Sequence, residues 1–195
     1  KGDFFGPLTI AAAYADRGLT ERMQTMGVRD SKRITSDKRL LEIARDLRAL
    51  LGRRYSVVRI GPSAYNRLYA KMRSVNRILA WGHARAIENL LAIVPDCPRA
   101  VSDQFGHQQQ VLRALMGKGR KIALEQRHRA ESDPAVAAAS ILARADFLTA
   151  LREMTEQHGV ALLKGASAAV ITRGGELVER HGPAILLQTA KCHFR

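Results

Sequence analysis

The sequence predicts an α/β layer fold, and three observations carry that prediction. Short apolar runs at 7–15, 55–60, 100–103 and 121–124 alternate with longer segments whose apolar residues recur every three to four positions. Helix start and stop signals bracket the longer segments. No repeat, linker or low-complexity stretch interrupts the alternation, so residues 1–195 are read as one domain.

The elements follow in order. Gly6-Pro7 turns the chain into a buried strand over 7–15. Residues 27–33 are polar and loop-like. Thr35 or Ser36 caps a helix over 37–51, with Leu40, Ile43, Leu47 and Leu50 on one face and Gly52 as its stop. Tyr55-Ser-Val-Val-Arg-Ile60 forms a strand, and Gly61-Pro62-Ser63 turns the chain after it. A long helix over 75–91 faces Ile78, Leu79, Gly82, Ala86 and Leu90 inward. Short strands at 100–103 and 121–124 come next. Asp133 caps a further helix and Pro134 opens it, with Val136, Ala139, Ala143, Phe147, Leu151 and Met154 as the buried stripe. Helices around 167–180 and 183–192 end the chain.

The charge balance narrows the function. Thirty-two Lys and Arg against eighteen Asp and Glu give a formal charge of +14. Such a surface suits a polyanion, because each neutralised phosphate releases counterions and adds sequence-independent affinity. The other reading is a basic soluble protein that is simply rich in Arg. Cys97 and Cys192 fit no metal or redox spacing, which predicts free thiols in a reducing compartment and hence the cytoplasm. No apolar stretch is read as approaching the ~20 residues that span a bilayer, and no secretion signal opens the chain. A monomer without a membrane partner is expected. The chain begins Lys1-Gly2-Asp3 rather than with Met, as a fragment would.

Two carboxylates stand out. Asp103 ends a short strand, where open α/β sheets bind ligands; its other reading is a turn former. Glu131 precedes a helix N-terminus, whose partial positive charge favours an ionised acid; its other reading is an ordinary first-turn acid. Together, in a basic chain, they point to metal-assisted phosphodiester chemistry, although two acids alone rarely complete a two-metal site. Asp30-Ser31-Lys32-Arg33 gathers a carboxylate, a hydroxyl and two cations of the kind that contact a phosphate backbone, or forms a plain exposed turn. Lys1-Gly2 would bring backbone and a cation close to a ligand. Tyr65, Tyr69 and Trp81 would stack on bases or fill the edge of the core. The six histidines lack metal-ligand spacing, which argues against zinc.

Taken together these segments resemble bacterial ribonuclease HIII, a branch of the type 2 ribonucleases H. The matching stretches are Lys1-Gly-Asp-Phe-Phe-Gly-Pro7, Gly27-Val-Arg-Asp-Ser-Lys32, Asn76-Arg-Ile-Leu-Ala-Trp-Gly-His-Ala-Arg-Ala-Ile-Glu-Asn-Leu90, Asp103-Gln-Phe105, Ala130-Glu-Ser-Asp-Pro-Ala-Val-Ala-Ala-Ala-Ser-Ile-Leu-Ala-Arg144, Lys164-Gly-Ala-Ser167 and Lys191-Cys-His-Phe194. The resemblance implies a ribonuclease H-like fold with a mixed, largely five-stranded sheet flanked by helices. It implies cleavage of the RNA strand in RNA–DNA hybrids, giving 3′-hydroxyl and 5′-phosphate ends, with Mg²⁺ or Mn²⁺ held by an Asp-Glu-Asp-Glu set. Asp103 matches the third acid of that set and Glu131 the fourth. Lys1-Gly2 matches the end of a glycine-lysine-glycine turn that contacts nucleic acid. The first two acids and their strand fall ahead of Lys1 in the family pattern, as does a separate substrate-binding domain. The chain is therefore expected to be N-terminally truncated and inactive by itself. A non-catalytic nucleic-acid-binding fragment is the alternative reading.

Overall fold

Capping side chains set the helix boundaries. The computed structural model describes residues 2–28, 31–104, 109–115, 117 and 119–193. Its strands are β1 (Leu8–Ala13), β2 (Tyr55–Ile60), β3 (Arg99–Asp103) and β4 (Ala123–Arg127). Its helices are α1 (Arg17–Thr25), α2 (Asp37–Leu51), α3 (Pro62–Met72), α4 (Val75–Leu91), α5 (Gln109–Ala114), α6 (Pro134–His158), α7 (Ala168–His181) and α8 (Leu186–Thr189). Short 3-10 turns occupy Ser31–Arg33, Gly119–Lys121, Ala130–Ser132 and Pro183–Ile185.

Helix α2 starts where Ser36 Oγ accepts from Arg39 N at 3.2 Å and ends at Gly52, whose φ of 59° suits glycine. Its buried face is Leu40, Ile43, Ala44, Leu47 and Leu51, so Leu51 rather than Leu50 completes it. Helix α6 starts where Asp133 Oδ1 accepts from Ala135 N at 2.9 Å, with Pro134 in the first position, where no amide donor is needed.

Several expectations need correction. Gly61-Pro62-Ser63 opens α3 rather than forming a free turn: Gly61 is its N-cap and Pro62 pre-sets its first turn. The sequence reading gives no helix over 17–25, because α1 buries only Leu19 and Met23; Asp16 Oδ1, accepting from Leu19 N at 2.8 Å, starts it. The strand read at 121–124 lies at Ala123–Arg127, since Gly119–Lys121 coils first and two of the five ladder residues, Glu125 and Arg127, are polar and exposed. The helix read over 183–192 stops at Thr189, because Ala190 bridges Phe5 in antiparallel fashion and Lys191 N donates to Phe4 O at 2.8 Å.

Helix α6 corrects two readings. Its buried face in the first half is Ala137, Ala138, Ile141, Leu142 and Ala145, not the stripe through Val136, Ala139 and Ala143. Alanines on every side left no periodicity to set the phase. Its 25 residues also contain a window apolar enough to cross a bilayer by length and composition. Alanine inflates that measure. Arg144 pairs with Asp37 at 3.3 Å and Asp146 accepts two bonds from Arg59, which fits a core helix crossed by ion pairs.

The four strands pair as β1 with β2 and β3 with β4 among the described residues. β3 and β4 are parallel, and their register runs from Arg99 opposite Ala123 to Asp103 opposite Arg127. The chain divides into two compact units. Lys1–Thr9, Arg59–Val75 and Asp146–Arg195 form one, built on a cluster of Phe5, Leu151, Val160, Leu162, Val170, Leu177, Ile185 and Ala190. Ile10–Val58 and Asn76–Ala145 form the other, which buries Leu40, Leu47, Leu51, Ile78, Ile141 and Leu142 completely. Gly82 of α4 lies so close to Ile10 that any Cβ added there would collide with its side chain.

Candidate active site

Because β3 and β4 are parallel and in register, Asp103 and Arg127 end their strands at the same level. Gln104 N donates to Arg127 O at 3.1 Å and extends the pairing one step further. Beyond β4 the chain reverses at Arg129, whose φ of 54° and ψ of 42° place a non-glycine residue in the left-handed region. That conformation costs roughly 1 kcal/mol. It turns Ala130-Glu131-Ser132 back across the end of β3, where Ala130 N donates to Asp103 Oδ1 at 3.4 Å. Asp103 and the turn that carries Glu131, 28 positions on in sequence, thereby stand at one strand end.

The neighbours of the cluster limit its electrostatics. Asp133 is occupied as the cap of α6 and also receives Arg127 Nη2 at 3.3 Å, so it is a scaffold rather than a third ligand. His83 on α4 is half-buried in dense protein, and burial pushes its imidazole down to about 4 against the pull of Asp103. It is therefore neutral near pH 7 and adds no positive charge beside the acids. Asp103 and Glu131 are both half-buried, exposed enough to meet a ligand. They are hard oxygen donors suited to Mg²⁺ or Mn²⁺. Among the described residues no group of three or more His, Cys, Asp or Glu side chains could hold a metal ion.

Of the predicted nucleic-acid contacts, Lys1 and Asp30 lie outside the described residues. Gly2 is exposed, with no atom within 4 Å of where a Cβ would stand, so its backbone is open to a ligand. The segment after it is pinned. Asp3 Oδ1 accepts from Gly165 N at 2.8 Å and Phe4 N donates to Gly165 O at 2.8 Å. Lys191, 1% exposed, donates from Nζ to Phe5 O at 3.0 Å and Gly6 O at 2.8 Å.

Ser31 departs from expectation. It is 4% exposed and its hydroxyl is 2.6 Å from Ser140 Oγ, so that group faces the protein, not a phosphate. Lys32 sits in the Ser31–Arg33 turn, its side chain outside the described part of the structure, and Arg33 is exposed. Tyr65 is also interior: it is fully buried, its hydroxyl lies 3.0 Å from His193 Nδ1, and burial pushes it up to about 12. Trp81 keeps the guanidinium of Arg85 5.8 Å from its ring centre. Sequence reading missed Ser140, Arg144 and Lys191. The i, i+4 spacing of the first two on one helix was the available signal.

The chain spans a family model described as Ribonuclease HII over residues 1–195. Ribonuclease HIII of Protochlamydia amoebophila is 41% identical over 195 residues, covering 100% of this chain and 64% of that protein. Ribonuclease HIII of Chlamydia trachomatis serovar L2 is 41% identical over 197 residues, covering 100% of this chain and 65% of that protein. This chain thus spans just under two thirds of the length of these relatives. The crystal structure of Bst-RNase HIII in complex with Mn²⁺ matches with a TM-score of 0.91 at 30% identity, covering 100% of this chain and 64% of that one. Aquifex aeolicus RNase H3 matches with a TM-score of 0.80 at 27% identity, covering 100% of this chain and 69% of that one. These likenesses establish the ribonuclease H-like α/β fold, and the match over every residue settles the kinship: the chain belongs to the ribonuclease HII family.

Proposed function

We propose that this chain is the catalytic part of an endoribonuclease that hydrolyses the RNA strand of RNA–DNA hybrids with Mg²⁺ or Mn²⁺, leaving 3′-hydroxyl and 5′-phosphate ends. The observation that carries this reading is the convergence of Asp103 and the Glu131 turn at the ends of a parallel strand pair. The Mn²⁺ in the structure of Bst-RNase HIII supports the choice of ion. A bound divalent ion supplies an activated water and a counter-charge for the leaving oxygen. The residues of the chain do the rest. Ala130 N orients Asp103, and Glu131 stands just ahead of the N-terminus of α6. Neutral His83 adds no positive charge beside the acids.

The charge of +14 draws in the nucleic-acid backbone. Selection of a hybrid requires contacts to 2′-hydroxyls, because those groups separate RNA from DNA. We assign these contacts to Lys1-Gly2 and the Asp30–Lys32 loop, the latter through its backbone and cations since the Ser31 hydroxyl is engaged. The free thiols of Cys97 and Cys192 support a cytoplasmic setting, and a monomer is the simplest working unit.

The test is cleavage of an end-labelled hybrid by the intact protein carrying residues 1–195, with Mg²⁺ and with Mn²⁺. Cleavage of the RNA strand alone, lost in Asp103→Asn and Glu131→Gln, is the expected result. Salt-sensitive hybrid binding with no cleavage under either ion would favour a non-catalytic binding protein instead.

A further inference from the structure

The hydrogen bonds around Ser31 show how one helix shapes the predicted nucleic-acid loop. Ser31 is buried on Ser140, and Arg144, one helical turn further along α6, reaches the same segment. Its Nη1 donates to Ser31 O at 2.5 Å and to Ile34 O at 3.0 Å, while Nη2 meets Asp37 Oδ1 at 3.3 Å. One guanidinium thus fixes both ends of the Ser31–Arg33 turn and ties them to the start of α2. The planar fork matters, because an ammonium cannot hold three acceptors in one plane. Arg33 is exposed, so the turn has an outward side as well as the buried side facing Ser140.

Helix α6 begins directly after the Ala130–Ser132 turn that carries Glu131. Ser140 and Arg144 lie six and ten residues into it, an axial offset of roughly 9 to 15 Å from its start. That offset corresponds to about three or four nucleotides at ~3.4 Å each along a strand.

We propose that Ser140 and Arg144 are positioning residues, which hold the Ser31–Arg33 turn so that its backbone and the exposed Arg33 meet a hybrid-backbone phosphate several nucleotides from the scissile one. The inference rests on the hybrid-binding reading above and deepens it. The helix that leads away from Glu131 also fixes the distance between the cutting point and this outer contact. Loss of the clamp should therefore weaken the grip on the hybrid more than it slows the chemical step.

The experiment compares the intact wild-type protein with Arg144→Lys and Ser140→Ala. The readouts are hybrid affinity across a salt series, KM and kcat on a hybrid, and the thermal melt. Arg144→Lys should raise Kd and KM about tenfold while kcat falls far less, as when uniform binding is lost. The plot of log affinity against log salt should become shallower by about one contact. Ser140→Ala should move the same readouts in the same direction by a smaller factor. A general loss of structure would lower kcat and the melting temperature without a change of salt slope, and that pattern overturns the proposal. Unchanged Kd, KM and slope in both variants overturns it too. Affinity and slope can be read without cleavage, so a wild-type protein that binds hybrids but does not cut them would sink the proposed activity while still testing the clamp.

Discussion

The strand-end cluster and the start of the chain treat polar groups in opposite ways. Residues 3–6 are enclosed by bonded partners: Asp3 and Phe4 on Gly165, Phe4 O on Lys191 N, and Phe5 O and Gly6 O on the Lys191 ammonium. At the ends of β3 and β4, Asp103 accepts a long 3.4 Å bond from Ala130 N and remains half-exposed, with Arg129 held in a left-handed conformation beside it. The first region uses polar atoms to fix backbone in place. The second leaves its carboxylates half-exposed and places a non-glycine residue in the left-handed region beside them. Similar side-chain chemistry is enclosed by bonded partners in one region and left half-exposed in the other.

The largest effect that would break this contrast is at the cluster. Asp103→Asn in the intact protein should lower hybrid cleavage by about three orders of magnitude with little change in melting temperature, because one charged ligand is lost from a partly exposed position. A large fall in stability instead would show that Asp103 is structural.

Lys191 sharpens the other side. Burial holds its ammonium down to about 8, with Asp3 pulling it back up. Since the unfolded side chain titrates near 10.5, the unfolded state binds the extra proton between those two values. Stability from this group is therefore gained as pH rises from about 8 to 10.5, and is absent below 8. The gain should be on the order of 3 kcal/mol, and Lys191→Met should abolish it. Urea denaturation of both proteins at intervals across that range, read as a difference, provides the measurement. Parallel curves would mean that the ammonium is not confined as described.

Gly82→Ala comes next. The new methyl would collide with Ile10, and overpacking should cost about 1 to 3 kcal/mol, beyond the small gain in helix propensity. Its melting temperature should fall, while Asp103→Asn leaves that temperature nearly unchanged. The smallest effect is Ser36→Ala, which removes the cap on Arg39 N and should lower stability by about 1 kcal/mol with normal cleavage. Reduced hybrid affinity in Ser36→Ala would show that the start of α2 affects the Ser31–Arg33 turn through Asp37.

Much of the local structure could be read from single residues. Ser36 and Gly52 bracket α2, Asp133-Pro134 opens α6, and Tyr55–Ile60 is a strand at the bounds its β-branched run suggests. Local signals failed where tertiary contacts decided. The expected helix over 183–192 yields to pairing with Phe5, and the alanine-rich half of α6 carried no phase. The two acids were visible as candidates from strand-end and helix-start positions, each with an equally ordinary reading. Ser31 shows the opposite case, a hydroxyl that reads as exposed but is bonded inside the protein.

The sequence by itself determined the caps of α2 and α6, the charge and the family motifs, because these depend on composition or on residues a few positions apart. Only the tertiary structure decided that the Ala130–Ser132 turn folds back onto Asp103, that Ser31 faces Ser140, and that Lys191 grips residues 5 and 6. Each of these joins segments distant along the chain, and the geometry of such contacts exists only once burial has chosen which faces turn inward.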